Sequence, residues 1–184
     1  MNLSELGIKA RAASVLLAKM NVETKNKALI ACADALVKES NSILEANAKD
    51  VLIGREKGMN EGLVDRLMLT EERIKGIAEG LEQVAALNDP VGEVLDMKKR
   101  PNGLLIGKKR VPLGVVGMIY EARPNVTPDA FALCFKSGNA VILRGGSDAI
   151  NSNIAIVKVL QDTLKACGIT EDAVQLIEDT SHEV

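Results

Sequence analysis

Apolar side chains recur at three- and four-residue steps along the first half of the chain, the spacing of one face of an α-helix. Leu6, Ala10, Ala13, Leu17 and Met20 form one such stripe. Leu29, Cys32, Leu36 and Val37 form a second, and Ile74, Ile77, Leu81 and Val84 a third. The pattern predicts helix after helix through residues 1–88. Thr70 offers an N-cap oxygen to the last of these, and Glu71 and Glu72 follow in its first turn, where the positive helix end favours acids. Asn88-Asp89-Pro90 stops it. Gly54, Gly58 and Gly62 predict looser chain between helices.

The texture changes after Pro90. Glu93–Lys99 and Leu104–Arg110 flank Pro101-Asn102-Gly103. Asn-Gly readily takes the positive φ angles of a tight turn, so the segment predicts a β-hairpin. Its flanks carry Lys98, Lys99, Arg100, Lys108, Lys109 and Arg110. Such charge suits an exposed hairpin held in solution by its lysines; it suits a subunit contact as well. An alternation follows. Val115–Tyr120 is apolar on both of its faces, as a parallel strand buried on both sides would be. Thr127-Pro128-Asp129 predicts an N-cap, a first-turn proline and an acid. That helix carries Phe131, Cys134 and Phe135 and ends at Gly138. Ala140–Leu143 is a second strand. Ser147 or Asp148 is placed to cap a second helix, with Ile150, Ile154, Val157, Leu160 and Leu164 inward and Gly168 at its end. Ala173–Ile177 is a third strand. The fold class is therefore α/β: N-terminal helices, a hairpin, and a β-α-β-α-β unit that calls for a parallel, Rossmann-like sheet. The sequence stops at Glu183-Val184, where another helix is expected, and reads as an incomplete sheet.

Composition narrows the chemistry. Aromatics make up only 2% of the 184 residues, so the core must come from Leu, Ile, Val, Ala and Met. A net charge of -2 argues against a nucleic-acid binder. Cys32, Cys134 and Cys167 are widely spaced and odd in number, which fits reduced thiols in the cytoplasm. None has a basic residue arranged to activate it as a thiolate. One histidine, His182, cannot build a metal site and reads as solvated. No N-terminal apolar region predicts a signal peptide, and no apolar run predicts a membrane span.

Ligands in open α/β sheets bind outside the carboxyl ends of the strands. Two loops occupy that place. The second, Arg144-Gly145-Gly146-Ser147, combines a cationic fork with two glycines before a helix N-terminus, which suits a phosphate. A tight strand-to-helix turn would need the same glycines. The first loop, Tyr120 to Thr127, holds Glu121, Arg123 and Asn125 within five residues, between Pro124 and Pro128. The Asn125 amide can donate to a carbonyl oxygen that gains charge in a transition state, or bond the loop's own backbone.

At these loops Val111–Ala149, VPLGVVGMIYEARPNVTPDAFALCFKSGNAVILRGGSDA, resembles the gamma-glutamyl phosphate reductase family of the aldehyde dehydrogenase superfamily. Ile43–Val51 and Gly62–Ile74 agree with it, so the resemblance runs through essentially the whole chain. It implies residues 1–90 as the helical part of a nucleotide-binding domain, 91–111 as an oligomerisation-type hairpin, and 112–184 as an incomplete dinucleotide-binding domain. It implies NADPH-dependent reduction of L-glutamyl 5-phosphate to L-glutamate 5-semialdehyde and phosphate, in proline biosynthesis. NADP(H) is the implied cofactor, a small molecule the implied partner, and a homo-oligomer through the hairpin is compatible with it. In the superfamily a cysteine thiolate attacks the carbonyl. The resemblance places that cysteine beyond residue 184, so these residues alone are expected to be inactive. A non-catalytic nucleotide-binding or assembly role is the alternative. Asn125 matches the oxyanion donor. Arg144 stands where relatives place a lysine near the adenosine ribose, and an arginine there suits a 2′-phosphate. Gly145, Gly146 and Ser147 line the same end, and Tyr120 is placed with the cofactor. Tyr120 and Glu121 depart from the stretch found in ordinary aldehyde dehydrogenases. Arg123 is placed to meet the substrate's carboxylate or phosphate.

Overall fold

The computed structural model describes residues 3–180. Five helices come first: α1 (Leu3–Leu17), α2 (Val22–Lys38), α3 (Ser40–Glu56), α4 (Glu61–Leu67) and α5 (Glu71–Ala86). A hairpin of β1 (Val94–Lys99) and β2 (Leu105–Lys109) follows. The rest alternates: β3 (Val115–Ile119), α6 (Val126–Lys136), β4 (Ala140–Arg144), α7 (Ile150–Ala166) and β5 (Val174–Leu176).

The stripes seen in the sequence decide the packing. Asn21 caps α2 by accepting from the Thr24 amide at 2.8 Å, and Thr70 caps α5 as expected, accepting from the Arg73 amide at 3.1 Å. Leu29, Cys32 and Leu36 of α2 are buried against Ile74, Ala78 and Leu81 of α5. Alanines at 28, 33, 78 and 85 line the same buried faces and keep the two axes close. Phe131 and Phe135, the only phenylalanines, are fully buried on α6 with ring centroids 5.3 Å apart. Each such side chain contributes about 1.5–3 kcal/mol by leaving water. Two lysines are buried among these helices. Lys25 pairs with Asp89 at 2.5 Å and donates to the Lys136 carbonyl. Lys136 donates to Asn26 Oδ1 and to the Ala85 carbonyl at 2.7 Å. The residue that helps end α5 is thus fastened to α2, whose Lys25 also holds the end of α6.

The parallel sheet has the order β3-β4-β5. Both crossovers advance in the same direction, so right-handed connections put α6 and α7 on one face, and α1 lies against the strands from the other. β4 is the central strand, with Ala140, Val141 and Leu143 fully buried. Among the described residues β3 pairs only with β4, and Ile119 at its end is 78% exposed. β1 and β2 pair antiparallel and, among the described residues, only with each other.

Four local expectations are corrected. Only Gly103 takes a positive φ in the hairpin turn (86°). The Gly103 amide donates to the Arg100 carbonyl and the Arg100 amide to the Leu104 carbonyl. The turn spans Pro101-Asn102-Gly103 as expected, but with one left-handed residue where Asn-Gly was expected to supply two. Gly54 lies inside α3 and Gly62 inside α4, so only Gly58 separates helices. Thr127 does not cap α6. Asn125 holds that position and Thr127 is buried. Neither Ser147 nor Asp148 caps α7; a short 3₁₀ turn, Ser147–Ala149, precedes it. His182 lies outside the described residues.

Candidate functional site

Strand register builds the site. Ile119 of β3 is level with Arg144 of β4. The Tyr120 amide then donates to the Arg144 carbonyl at 3.1 Å. The two strands therefore end together, and their loops leave the sheet side by side. The first loop folds on itself, with the Arg123 amide on the Glu121 carbonyl at 2.8 Å and the Val126 amide on the Arg123 carbonyl at 3.0 Å. That turns Pro124 inward and leaves Arg123 and Asn125 exposed.

Behind the loops Tyr120, Thr127 and Asn153 form a hydrogen-bonded chain, in which the buried Asn153 Nδ2 is left without a partner among the described residues. The Tyr120 hydroxyl lies 2.6 Å from Thr127 Oγ1, which donates to Asn153 Oδ1 at 2.8 Å. Thr127 has one proton and gives it to Asn153, so Tyr120 is the donor in the first bond. This chain explains why Thr127 is buried on α6 and not capping it. Gly145 sits on top of it. A Cβ there would collide with Asn153 Nδ2 and lie 3.3 Å from the Tyr120 ring. At Gly146 a Cβ would come within 3.3 Å of the Ala122 amide, so the two loops meet at their backbones. Internal packing accounts for both glycines.

Burial holds the Tyr120 hydroxyl above its ordinary value of 10. Tyr120 is the only tyrosine, so its phenolate absorbance can be titrated alone. The midpoint is expected above 10 in the folded protein and near 10 after denaturation. The folded value is the raised one, so the stability Tyr120 contributes is complete below 10 and is lost as pH rises through the folded midpoint. A midpoint at or below 10 would place the phenol in water.

A second network joins α3 to the start of α7. Asp50, 2% exposed, accepts from the Ser152 amide at 2.7 Å, the Ser152 hydroxyl at 2.5 Å, the Asn151 amide at 3.2 Å and Asn151 Nδ2 at 2.7 Å. It is the cap that Ser147 and Asp148 do not provide. Asn47, one turn earlier, donates to the Leu67 carbonyl and to Ser152 Oγ, and accepts from the Leu69 amide at 2.7 Å. These bonds tie α4 to the site. Val64 and Leu67 of α4 are buried with Val51 and Ala149, and Ala122 packs against them.

Two open clefts result. One, of about 470 Å³, is bordered by Arg123, Asn125 and Asp129 on one side and by Asp65, Arg66 and Arg73 on the other. The adjoining one, of about 240 Å³, is bordered by Glu121, Arg123, Gly146, Ser147 and again Arg66. Asn125 does not bond its loop backbone; its Nδ2 lies 3.4 Å from Asp129 Oδ2. Burial raises the Asp129 carboxyl and the Asn125 amide opposes that rise. Of the sequence-predicted residues, Arg123, Asn125, Gly146 and Ser147 border these clefts. Tyr120, Arg144 and Gly145 border neither. Arg66 and Asp50 were not singled out from the sequence, and Asp129 was read there only as a first-turn acid. A third groove, of about 390 Å³ between α1 and α7, has none of the candidate residues on its walls, so volume alone does not select the site.

The three thiols are poor nucleophile candidates. Burial, with Cys167 adding to it, pushes Cys32 up to about 12, and burial raises Cys134. Cys167 follows the far end of α7, about 25 Å along the axis from its start. Among the described residues no His, Cys, Asp and Glu cluster could hold a metal ion. No described helix is long and apolar enough to cross a membrane.

Helices, hairpin and parallel sheet in this arrangement define the aldehyde dehydrogenase fold. A probable aldehyde dehydrogenase from Listeria monocytogenes superposes with a TM-score of 0.75 at 15% identity, over 98% of this chain and 37% of that one. Within that class the chain is similar, over nearly its whole length, to the N-terminal part of gamma-glutamyl phosphate reductases. It is 59% identical over 175 residues to gamma-glutamyl phosphate reductase of Caldanaerobacter subterraneus subsp. tengcongensis. That match covers 95% of this chain and 42% of the relative. The crystal structure of the Thermotoga maritima gamma-glutamyl phosphate reductase superposes with a TM-score of 0.96 at 46% identity, over 100% of this chain and 44% of that one. No family model matches the chain. The chain thus spans less than half the length of these relatives.

Proposed function

We propose that these residues form the carbonyl-polarising and nucleotide-binding half of an enzyme that reduces L-glutamyl 5-phosphate to L-glutamate 5-semialdehyde and phosphate with NADPH. The observation that carries this reading is one cleft at the carboxyl end of β3 bordered by both Arg123 and Asn125. Similarity to gamma-glutamyl phosphate reductases supports the reaction. Asn125 donates to the substrate carbonyl oxygen as it becomes negative, when a thiolate attacks and phosphate departs. Asp129 engages one side of that amide and so fixes which end donates. Arg123 draws the substrate's anionic end into the cleft.

The cofactor lies along the second loop. Ser147 is exposed and borders the 240 Å³ cleft with Gly146, which fits a ligand passing close to the backbone there. Arg144, at the end of β4, has the charge to pair with the 2′-phosphate that distinguishes NADP from NAD. Tyr120 and Gly145 shape this loop from behind. NADPH supplies the hydride. The nucleophilic thiol is none of the three here, so the 184 residues alone are inactive. Reduced thiols suit a cytoplasmic setting. The exposed Val94, Leu95, Met97, Leu105 and Ile106 of the hairpin suit contact with a second copy.

The reverse reaction tests this. In the protein at its relatives' full length, NADP⁺ reduction by glutamate semialdehyde is expected to require inorganic phosphate and to run faster than with NAD⁺. The 184-residue chain is expected to give no turnover. A rate indifferent to phosphate would rule out the acyl phosphate reaction.

A further inference from the structure

Three arginines border the cleft that contains Asn125: Arg66, Arg73 and Arg123. They are not equivalent. Arg73 is committed to structure. Its Nη1 donates to the Asp65 carbonyl and, at 2.7 Å, to the Met68 carbonyl, and its Nη2 meets Asp65 Oδ1 at 2.8 Å. It pins the end of α4 to the start of α5, and in doing so engages the one acid next to Arg66. The guanidinium groups of Arg66 and Arg123 have no hydrogen bond or ion pair among the described residues. Both stand on the boundary between the two clefts. The remaining acid of the Asn125 cleft, Asp129, is turned to the Asn125 amide. The cleft therefore holds two uncommitted cationic forks, which match a two-oxygen anion.

We propose that Arg66 binds the α-carboxylate of the substrate and so selects an α-amino-acid acyl phosphate over a simple one. The inference rests on the reaction proposed above. In that substrate the phosphate is bonded to the reacting carbonyl carbon. With the carbonyl at Asn125, the phosphate lies beside the same loop, where Arg123 is two residues away. The α-carboxylate stands at the other end of the carbon chain and needs a cation on a different element. Arg66 is that cation. The buried side chains of Val64 and Leu67 anchor α4, and the Asn47 bond to the Leu67 carbonyl fixes its end, so the guanidinium is carried on a held helix. Arginine does this better than lysine because its planar fork meets both carboxylate oxygens.

The test uses Arg66→Ala and Arg66→Lys in the full-length reductase, assayed in reverse with glutamate semialdehyde, NADP⁺ and inorganic phosphate. Arg66→Ala is expected to raise the KM for the semialdehyde on the order of 10- to 100-fold, the loss of a charged hydrogen-bonded pair, with the KM for phosphate unchanged. Arg66→Lys is expected to recover part of that loss. Butanal, which lacks the carboxylate, is expected to react equally with parent and variant. A rise in the phosphate KM would assign Arg66 to the phosphate and overturn the proposal. An equal loss with butanal would make its role structural and overturn it too. Absence of phosphate-dependent turnover in the parent would instead remove the underlying reaction, and the role of Arg66 with it.

Discussion

Asp50→Ala is expected to destabilise the protein by about 3–5 kcal/mol, the cost of leaving its buried donors without an acceptor. The unfolding midpoint should fall by roughly 10 °C. The carboxylate takes four hydrogen bonds from the first residues of α7, two of them from backbone amides. It also faces the positive end of that helix, where an anion is favoured. With alanine, the Ser152 amide and hydroxyl stay buried with no acceptor, and each such group costs about 1–3 kcal/mol. The damage reaches the site. Ser152 Oγ also accepts from Asn47, and Asn47 holds both the last carbonyl of α4 and the amide of Leu69. Asp50→Asn keeps an acceptor oxygen and should lose less than the alanine variant. Denaturant unfolding of both variants measures the effect. A loss below about 1 kcal/mol for Asp50→Ala would mean that water replaces the carboxylate.

This network shows where the sequence was legible and where it was not. Helical stripes were readable because burial demands repetition: Leu29, Cys32 and Leu36 must recur to meet Ile74, Ala78 and Leu81. Asp50 and Asn47 were hidden in such a stripe. Both lie on the buried face of α3 with Ile43 and Val51, and a polar residue at a core position was the available signal. It could announce a buried partner without naming α7, which lies about a hundred residues further on. Thr127 misled for a local reason. Thr-Pro-Asp has the chemistry of a helix start, but its hydroxyl serves Tyr120 and Asn153. Arg123 and Asn125 were legible because a strand-end loop has no structural need for so much polar equipment. Arg66 was not. α4 has only seven residues, too few for a period to show, and its place beside Arg123 is set by long-range packing on Ala122 and Val51.

Polarisation of the substrate carbonyl at the carboxyl end of β3 is the centre of the proposed chemistry, and Asn125 is the residue on which it rests. The amide is exposed to the cleft, is not spent on capping α6, and is engaged by the Asp129 carboxylate at 3.4 Å. Removing one oxyanion donor typically lowers kcat by about 10²- to 10³-fold. The most direct measurement is the kcat of Asn125→Ala in the full-length reductase, with NADPH affinity determined alongside. The predicted result is a fall in kcat of that size with the nucleotide Kd unchanged, because the side chain meets the substrate oxygen only as charge develops. A kcat within a few-fold of the parent, with NADPH still bound, would contradict it and move the oxyanion site away from β3.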